Sequence, residues 1–167
     1  NRAMAIESRP NFYDFSPRII PYQSEVVDLL DSWDFSTGTP EILLSGSYGS
    51  AKSTLMAHLT VRHCMEFAGA RACLARKAMP DLKDTIFKEI LEHISEDFVE
   101  GDDYWVNQTS AKITFKNGSE IISRSWADKK YKKGRSLKLS MLVFEELTEN
   151  TGEDVEAFKT LKARLRR

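Results

Sequence analysis

The sequence predicts an α/β fold with a mainly parallel central sheet, flanked by helices and carrying an inserted β-hairpin. Three observations lead there. The stretch Glu41-Ile-Leu-Leu-Ser-Gly-Ser-Tyr-Gly-Ser-Ala-Lys-Ser-Thr54 joins an apolar, strand-type run at 42–44 to a helical pattern through a loop of small residues. Two more buried-type strands, at 72–75 and 139–144, lie downstream. Between them, residues 112–123 alternate in period two on both sides of Asn117-Gly118, which predicts a hairpin with a type I′ turn.

The first of these stretches is also the strongest chemical signal. Backbone N–H groups can close around a polyphosphate only where side chains are small, and Gly46 and Gly49 give the loop that freedom. The following helix turns its positive end toward the same anion. Residues Gly46, Ser47, Tyr48, Gly49, Ser50, Ala51, Lys52, Ser53 and Thr54 therefore form a candidate nucleotide-binding loop. Within it Lys52 supplies a mobile charge for the outer phosphates, and the Ser53 hydroxyl can coordinate Mg²⁺. The strict pattern G-x-x-x-x-G-K-[ST] has glycine where Ala51 stands; alanine tolerates helical backbone angles, so the position is expected to open the helix.

Composition bounds the rest. The chain has 167 residues, 41% hydrophobic and 29% charged, with a net charge of −1, so any attraction to nucleic acid must come from local clustering. It starts at Asn1 and stops at Leu165-Arg166-Arg167 within a helical pattern, which leads us to expect truncation before the last core strands. Cys64 and Cys73 fall in buried-type elements and read as reduced thiols. No apolar run is long enough for a membrane span, and the three histidines lack metal-ligand spacing.

Taken in order, residues 1–21 form an arm with Pro10, Pro17 and Pro21 among aromatics, and 22–167 form the domain proper. Pro21-Tyr22-Gln23 opens a helix. There Gln23 either reads adenine through its amide, with Tyr22 as a stacking surface, or belongs to an ordinary amphipathic helix start. The helix after the loop runs to about Ala68, and Gly69 ends it. A further helix follows Pro80, with Leu82, Ile86, Ile90 and Ile94 at i, i+4 spacing. Residues 97–110 read as irregular and acidic, anchored by Tyr104 and Trp105. Residues 124–138 hold seven basic residues and one acid, with Trp126 and Tyr131, and no helical period. Such a run either faces a phosphate backbone or is solvated.

The strand at 139–144 ends in Glu145-Glu146. Paired acids at a strand end, downstream of a phosphate-type loop, complete a nucleotide site. Glu145 would orient Mg²⁺, and Glu146 would polarise the attacking water. Successive strand residues point to opposite sides, which permits two roles. The general pattern has aspartate first; Glu145 is one methylene longer.

The order of these features resembles the ATPase domain of the large terminase subunit of tailed double-stranded DNA bacteriophages. The similarity covers about 17–167 and rests on Tyr22-Gln23, the loop from Gly46 to Ser53, Leu74-Ala-Arg-Lys77 and Leu82-Lys-Asp-Thr85. It continues through Ile113-Thr-Phe-Lys-Asn-Gly-Ser119, Lys132-Lys-Gly-Arg135 and Val143-Phe-Glu-Glu146. The resemblance implies an ASCE-type P-loop NTPase that uses ATP and Mg²⁺. It implies a homo-oligomeric ring, a pentamer, at the portal of a procapsid, driving double-stranded DNA inside in the host cell cytoplasm. A small terminase subunit would recruit it, and a nuclease domain would lie in the parent protein; nothing in these residues shows that nuclease. Arg135 stands where an arginine reaching a neighbouring subunit's ATP could sit, with Arg76 a second candidate; DNA-facing or structural roles stay open for both. Lys129, Lys130, Lys132 and Lys133 are candidates for DNA or subunit contact. Two other readings remain: a helicase-like P-loop translocase, and a non-hydrolysing nucleotide-binding or docking module in which Ala51 and Glu145 mark lost catalysis.

Overall fold

Residues 71–76 form a strand, β1 (Arg71–Arg76), whose four central residues are all buried. A strand covered on both faces is the mark of a sheet layered between other elements. In the computed structural model, which describes residues 21–46, 51–127, 137–146 and 152–165, β1 is the hub of a five-stranded sheet. The other strands are β2 (Tyr104–Asn107), β3 (Lys112–Phe115), β4 (Glu120–Ser125) and β5 (Met141–Phe144). Their spatial order is β2-β3-β4-β1-β5. β1 pairs in parallel with β4 (Leu74 opposite Ser123) and with β5 (Leu74 opposite Val143), while β2–β3 and β3–β4 are antiparallel. The sheet is thus mixed rather than mainly parallel. The hairpin is not an insertion beside the sheet either, because its second strand, β4, is the parallel neighbour of β1.

The helices are α1 (Pro21–Asp31), α2 (Lys52–Glu66), α3 (Met79–Leu82), α4 (Lys88–Ser95) and α5 (Gly152–Lys162), with a π-helical segment, Lys83–Phe87, joining α3 to α4. That segment explains the apolar spacing. Strict i, i+4 spacing drifts about 40° per step on an α-helix of 3.6 residues per turn. One wider turn takes up the drift, and Leu82, Ile86, Ile90 and Ile94 all reach full burial. With Ala57, Val61 and Cys64 of α2 they pack on Ala72 and Leu74 of β1 and on Ile113, Phe115 and Ile121 of the hairpin.

The opposite face is smaller. Ala75 of β1 meets Ala157 and Leu161 of α5 and Trp126, with Phe144 packed alongside. Trp126 stacks on Phe144 with ring centroids 4.3 Å apart, and its indole N–H donates to Asp154 Oδ1 at 2.5 Å. Trp126, read from sequence within a basic segment, is therefore a core residue. Lys129, Lys130, Lys132, Lys133 and Arg135 lie outside the described residues, as do residues 1–20 of the arm.

Three local expectations change. The hairpin turn is not type I′: Gly118 N–H donates to Phe115 O at 2.9 Å, and only Gly118 (φ 83°) is left-handed, whereas type I′ needs positive φ at both central residues. The Asn117 side chain decides this, accepting from Ser119 N–H and donating to Cys64 O, which ties the turn to the end of α2. Residues 97–110 are not wholly irregular, since β2 forms there; Tyr104 is buried, but Trp105 is 47% exposed and anchors nothing. Residues 42–44 form no strand, and Leu43 is 79% exposed. A strand requires a hydrogen-bonding neighbour, and among the described residues none of the five strands runs beside this segment. The Glu41–Lys162 ion pair at 2.5 Å ties it to α5 instead.

Cys64 and Cys73 are buried free thiols, each pushed up to about 12 by burial. His58 of α2 and His93 of α4 meet at 3.3 Å between ring nitrogens, although no group of three or more metal-type ligands gathers among the described residues. His58 is 2% exposed, and burial, with His93 and Arg62 adding to it, pushes its imidazole down to about 4.

Two predictions follow from this packing. An unfolded histidine takes a proton near 6.5, whereas folded His58 resists it until about 4. Stability should hold above pH 6.5 and fall as pH drops toward 4; urea midpoints across that window check it, and His58→Gln should flatten the slope. Trp126→Phe keeps the stack but removes the donor to Asp154, and should cost about 1–3 kcal/mol in a denaturant titration.

Candidate functional site

Parallel pairing of β1 with β4 and β5 brings three carboxyl-terminal strand ends to one edge: Arg76 lies opposite Ser125, and Ala75 opposite Phe144. Ligands of open α/β sheets bind at that edge. Glu145 continues the ladder by one residue, its N–H donating to Ala75 O at 2.9 Å. The first residues of α2 reach the same place, where no side chain among the described residues caps its N-terminus.

Glu145 is the centre of the site. It is only 7% exposed, and each of its oxygens has its own partners. Oε2 accepts from Arg76 Nη1 at 2.9 Å and from Thr85 Oγ1 at 2.7 Å. Oε1 faces Ser53 Oγ at 3.5 Å. Burying a carboxylate is tolerable where a cation and hydroxyls replace water, and Arg76 is that cation. Glu146, the next residue, is exposed and holds a left-handed backbone, φ 59°. The two acids diverge, although not by strand alternation: β5 ends at Phe144, and with Glu146 left-handed one acid is buried and bonded while the other faces solvent.

On the α2 side, Ala51 is also left-handed, at φ 56° and ψ 27°, one residue before the helix begins. The expectation of helical angles fails here. The alanine occupies the conformation that favours the glycine of the strict pattern, at a cost of about 1–2 kcal/mol for an L-residue. Lys52 Nζ donates to Gly46 O at 2.7 Å, so its ammonium lies across the loop. Gln23 is 4% exposed, and its amide donates to Ala51 O at 3.2 Å, which puts α1 against the base of the loop. Beside it, a cleft of about 410 Å³ is lined by Tyr22, Val26, Ile42, Leu44, Ser45 and Lys52. Thr54 donates to Glu89 Oε1 of α4 at 2.7 Å and so braces the first turn of α2 from its other side.

The structure brings Ser53, Glu145 and Arg76 into one bonded set, and Gln23 and Lys52 onto the loop's ends. Arg76, considered from sequence for DNA or a neighbouring subunit, has its guanidinium on Glu145 of its own chain. Ser47, Tyr48, Gly49 and Ser50 lie outside the described residues, as do Lys129, Lys130, Lys132, Lys133 and Arg135. From sequence, Thr85 entered only within the Leu82-Lys-Asp-Thr85 stretch of the resemblance and had no role at the site. The signal was the four-residue apolar spacing of its helix, which exceeds the α-helical period and marks the π-helical turn on which Thr85 sits.

Ala51→Gly should relieve the left-handed strain and stabilise the protein by up to about 1 kcal/mol, net of the chain entropy glycine adds. Ala51→Val should destabilise it, since a β-branched residue is a true outlier at this φ. Urea unfolding of the two variants checks both signs.

Comparison with known proteins adds a family. A search of curated proteins and a search of solved structures each returned no match. A family model described as phage terminase large subunit matches residues 40–167. The match takes in the loop, Arg76, Thr85, the hairpin and Glu145-Glu146, and leaves Tyr22 and Gln23 before its start. As it covers well over half of the chain and every residue of the Glu145 cluster, this chain belongs to the phage terminase large subunit family.

Proposed function

We propose that the chain is the ATP-hydrolysing motor domain of a phage large terminase, coupling turnover to movement of double-stranded DNA into a procapsid. One observation carries the reading. In a chain of this family, a buried acid facing the Ser53 hydroxyl stands directly before an exposed acid at the end of a parallel strand.

The donor set suits a hard divalent cation. A hydroxyl and a carboxylate oxygen 3.5 Å apart are the kinds of ligand Mg²⁺ takes beside phosphate oxygens and water. Ser53 and Glu145 would hold it, and when bound it would draw charge from the phosphate oxygens. The chain's own groups do the rest. The Lys52 ammonium leaves Gly46 O for the outer phosphates of ATP. The N-terminal turn of α2 presents its N–H groups to the same anion. The cleft beside Tyr22 takes the base, and Gln23 holds the loop's end at Ala51 rather than reading that base. Glu146, exposed and one residue past the buried acid, accepts a proton from the attacking water.

Within the same proposal, copies of the chain form a ring at the portal, with Arg135 reaching the neighbouring copy's ATP and Lys129, Lys130, Lys132 and Lys133 meeting DNA or a subunit. A small terminase subunit brings the DNA, and the setting is the host cytoplasm. No helix among the described residues is long and apolar enough to cross a membrane.

The test is ATP turnover by the complete protein, with procapsid and linear DNA present or absent, beside a Glu146→Gln variant. Stimulation by procapsid with DNA, and a loss of about 10²–10⁴-fold in the variant, is expected. Turnover indifferent to procapsid would favour a general translocase, and ATP binding without turnover a docking module.

A further inference from the structure

A glutamate has one more rotatable bond than an aspartate, so a buried glutamate that faces a metal can aim its oxygens in more ways. Something must choose among them. At Glu145 the choice is visible. Oε2 is held by two donors, Arg76 Nη1 at 2.9 Å and Thr85 Oγ1 at 2.7 Å, while Oε1 is left toward Ser53. The two donors also touch each other, Arg76 Nη1 donating to Thr85 Oγ1 at 3.1 Å, and the single Thr85 hydroxyl proton is shared between Glu145 Oε2 and Asp81 O, each at 2.7 Å.

Each donor comes from a rigid element. Arg76 ends β1, whose ladder places it beside the end of β5. Thr85 sits on the π-helical segment, whose wider turn sends its hydroxyl to the strand ends while Leu82 and Ile86 stay in the core.

We propose that Arg76 and Thr85 are positioning residues, which clamp Oε2 of Glu145 and so present Oε1 beside Ser53 to a divalent cation. The clamp is what allows glutamate to stand where the general pattern has aspartate. This inference rests on the reading of the site as one for a metal-bound nucleotide, and the experiment separates the two.

The sign of the effect decides the matter. Removing a cationic guanidinium next to a metal site would, by charge alone, tighten metal binding. Loss of positioning weakens it, and groups that orient metal ligands are typically worth 10–100-fold in affinity. The probe is a fluorescent ATP analogue titrated into the complete protein, in EDTA and across a Mg²⁺ series. The readout is the Mg²⁺ concentration at half of the metal-dependent gain in binding.

Thr85→Val and Arg76→Gln should each raise that concentration by about tenfold or more. Binding in EDTA should be unchanged, and Thr85→Ser, which keeps the hydroxyl, should stay near the unaltered protein. Circular dichroism confirms that each variant is folded; Thr85→Val, which changes no charge, carries the test if Arg76→Gln is not. An unchanged or lowered Mg²⁺ requirement in Thr85→Val overturns the clamp, as does an equal loss of binding with and without metal. If the unaltered protein binds the analogue with no metal dependence, the clamp falls and nucleotide binding stands. If it binds no analogue at all, both readings fall.

Discussion

Everything at the site depends on β1 being paired on both edges. Parallel ladders to β4 and β5 align three strand ends, and that alignment sets the distance between Arg76 and Glu145 before either side chain is considered. The residues of β1 are small or apolar, Ala72 to Ala75, so helices can close on both faces. With both faces covered, little water reaches the strand ends. A carboxylate there must find protein partners, and it finds a guanidinium and two hydroxyls.

The backbone around this edge is strained at two points. Of the three non-glycine residues with positive φ among those described, Ala51 and Glu146 flank the site, one before α2 and one after β5. Conformations of this kind cost of order 1–3 kcal/mol each and persist where the surroundings hold them. The surroundings are identifiable. Gln23 bonds the carbonyl of Ala51, and the ladder bond from Glu145 to Ala75 stops one residue short of Glu146. The strain turns Glu146 out to solvent while Glu145 stays buried.

The helix running from Met79 to Ser95 braces the site at three heights. Thr85 holds Glu145, Glu89 holds Thr54, and His93 meets His58. Its apolar face fills the main core, so the polar residues that reach the site lie on a body that cannot easily rotate. The first turn of α2 and the end of β5 are thereby referenced to one rigid element, although they are 92 residues apart in sequence at Ser53 and Glu145.

Much of this could be read from the chain. The α/β class, the helix that carries Leu82 to Ile94, the hairpin at Asn117-Gly118, the buried thiols and the two acids at a strand end all follow from periodicity and turn chemistry. Such signals are local, and local sterics act wherever the segment ends up. What the sequence left undecided was partnership. Whether 42–44 becomes a strand depends on a neighbour, not on its own apolarity. Whether Arg76 faces outward or inward, whether Trp126 belongs to a basic surface or a core, and whether Gln23 reads a ligand or holds a loop depend on what lies across from each. Thr85 gave one sign of itself, a spacing of four where 3.6 is natural, but only packing could show that the wider turn delivers a hydroxyl to Glu145. Local sequence determined which residues were equipped for the chemistry; the tertiary structure decided which of them meet, because a hydrogen bond across 92 residues has no signature within a window of ten.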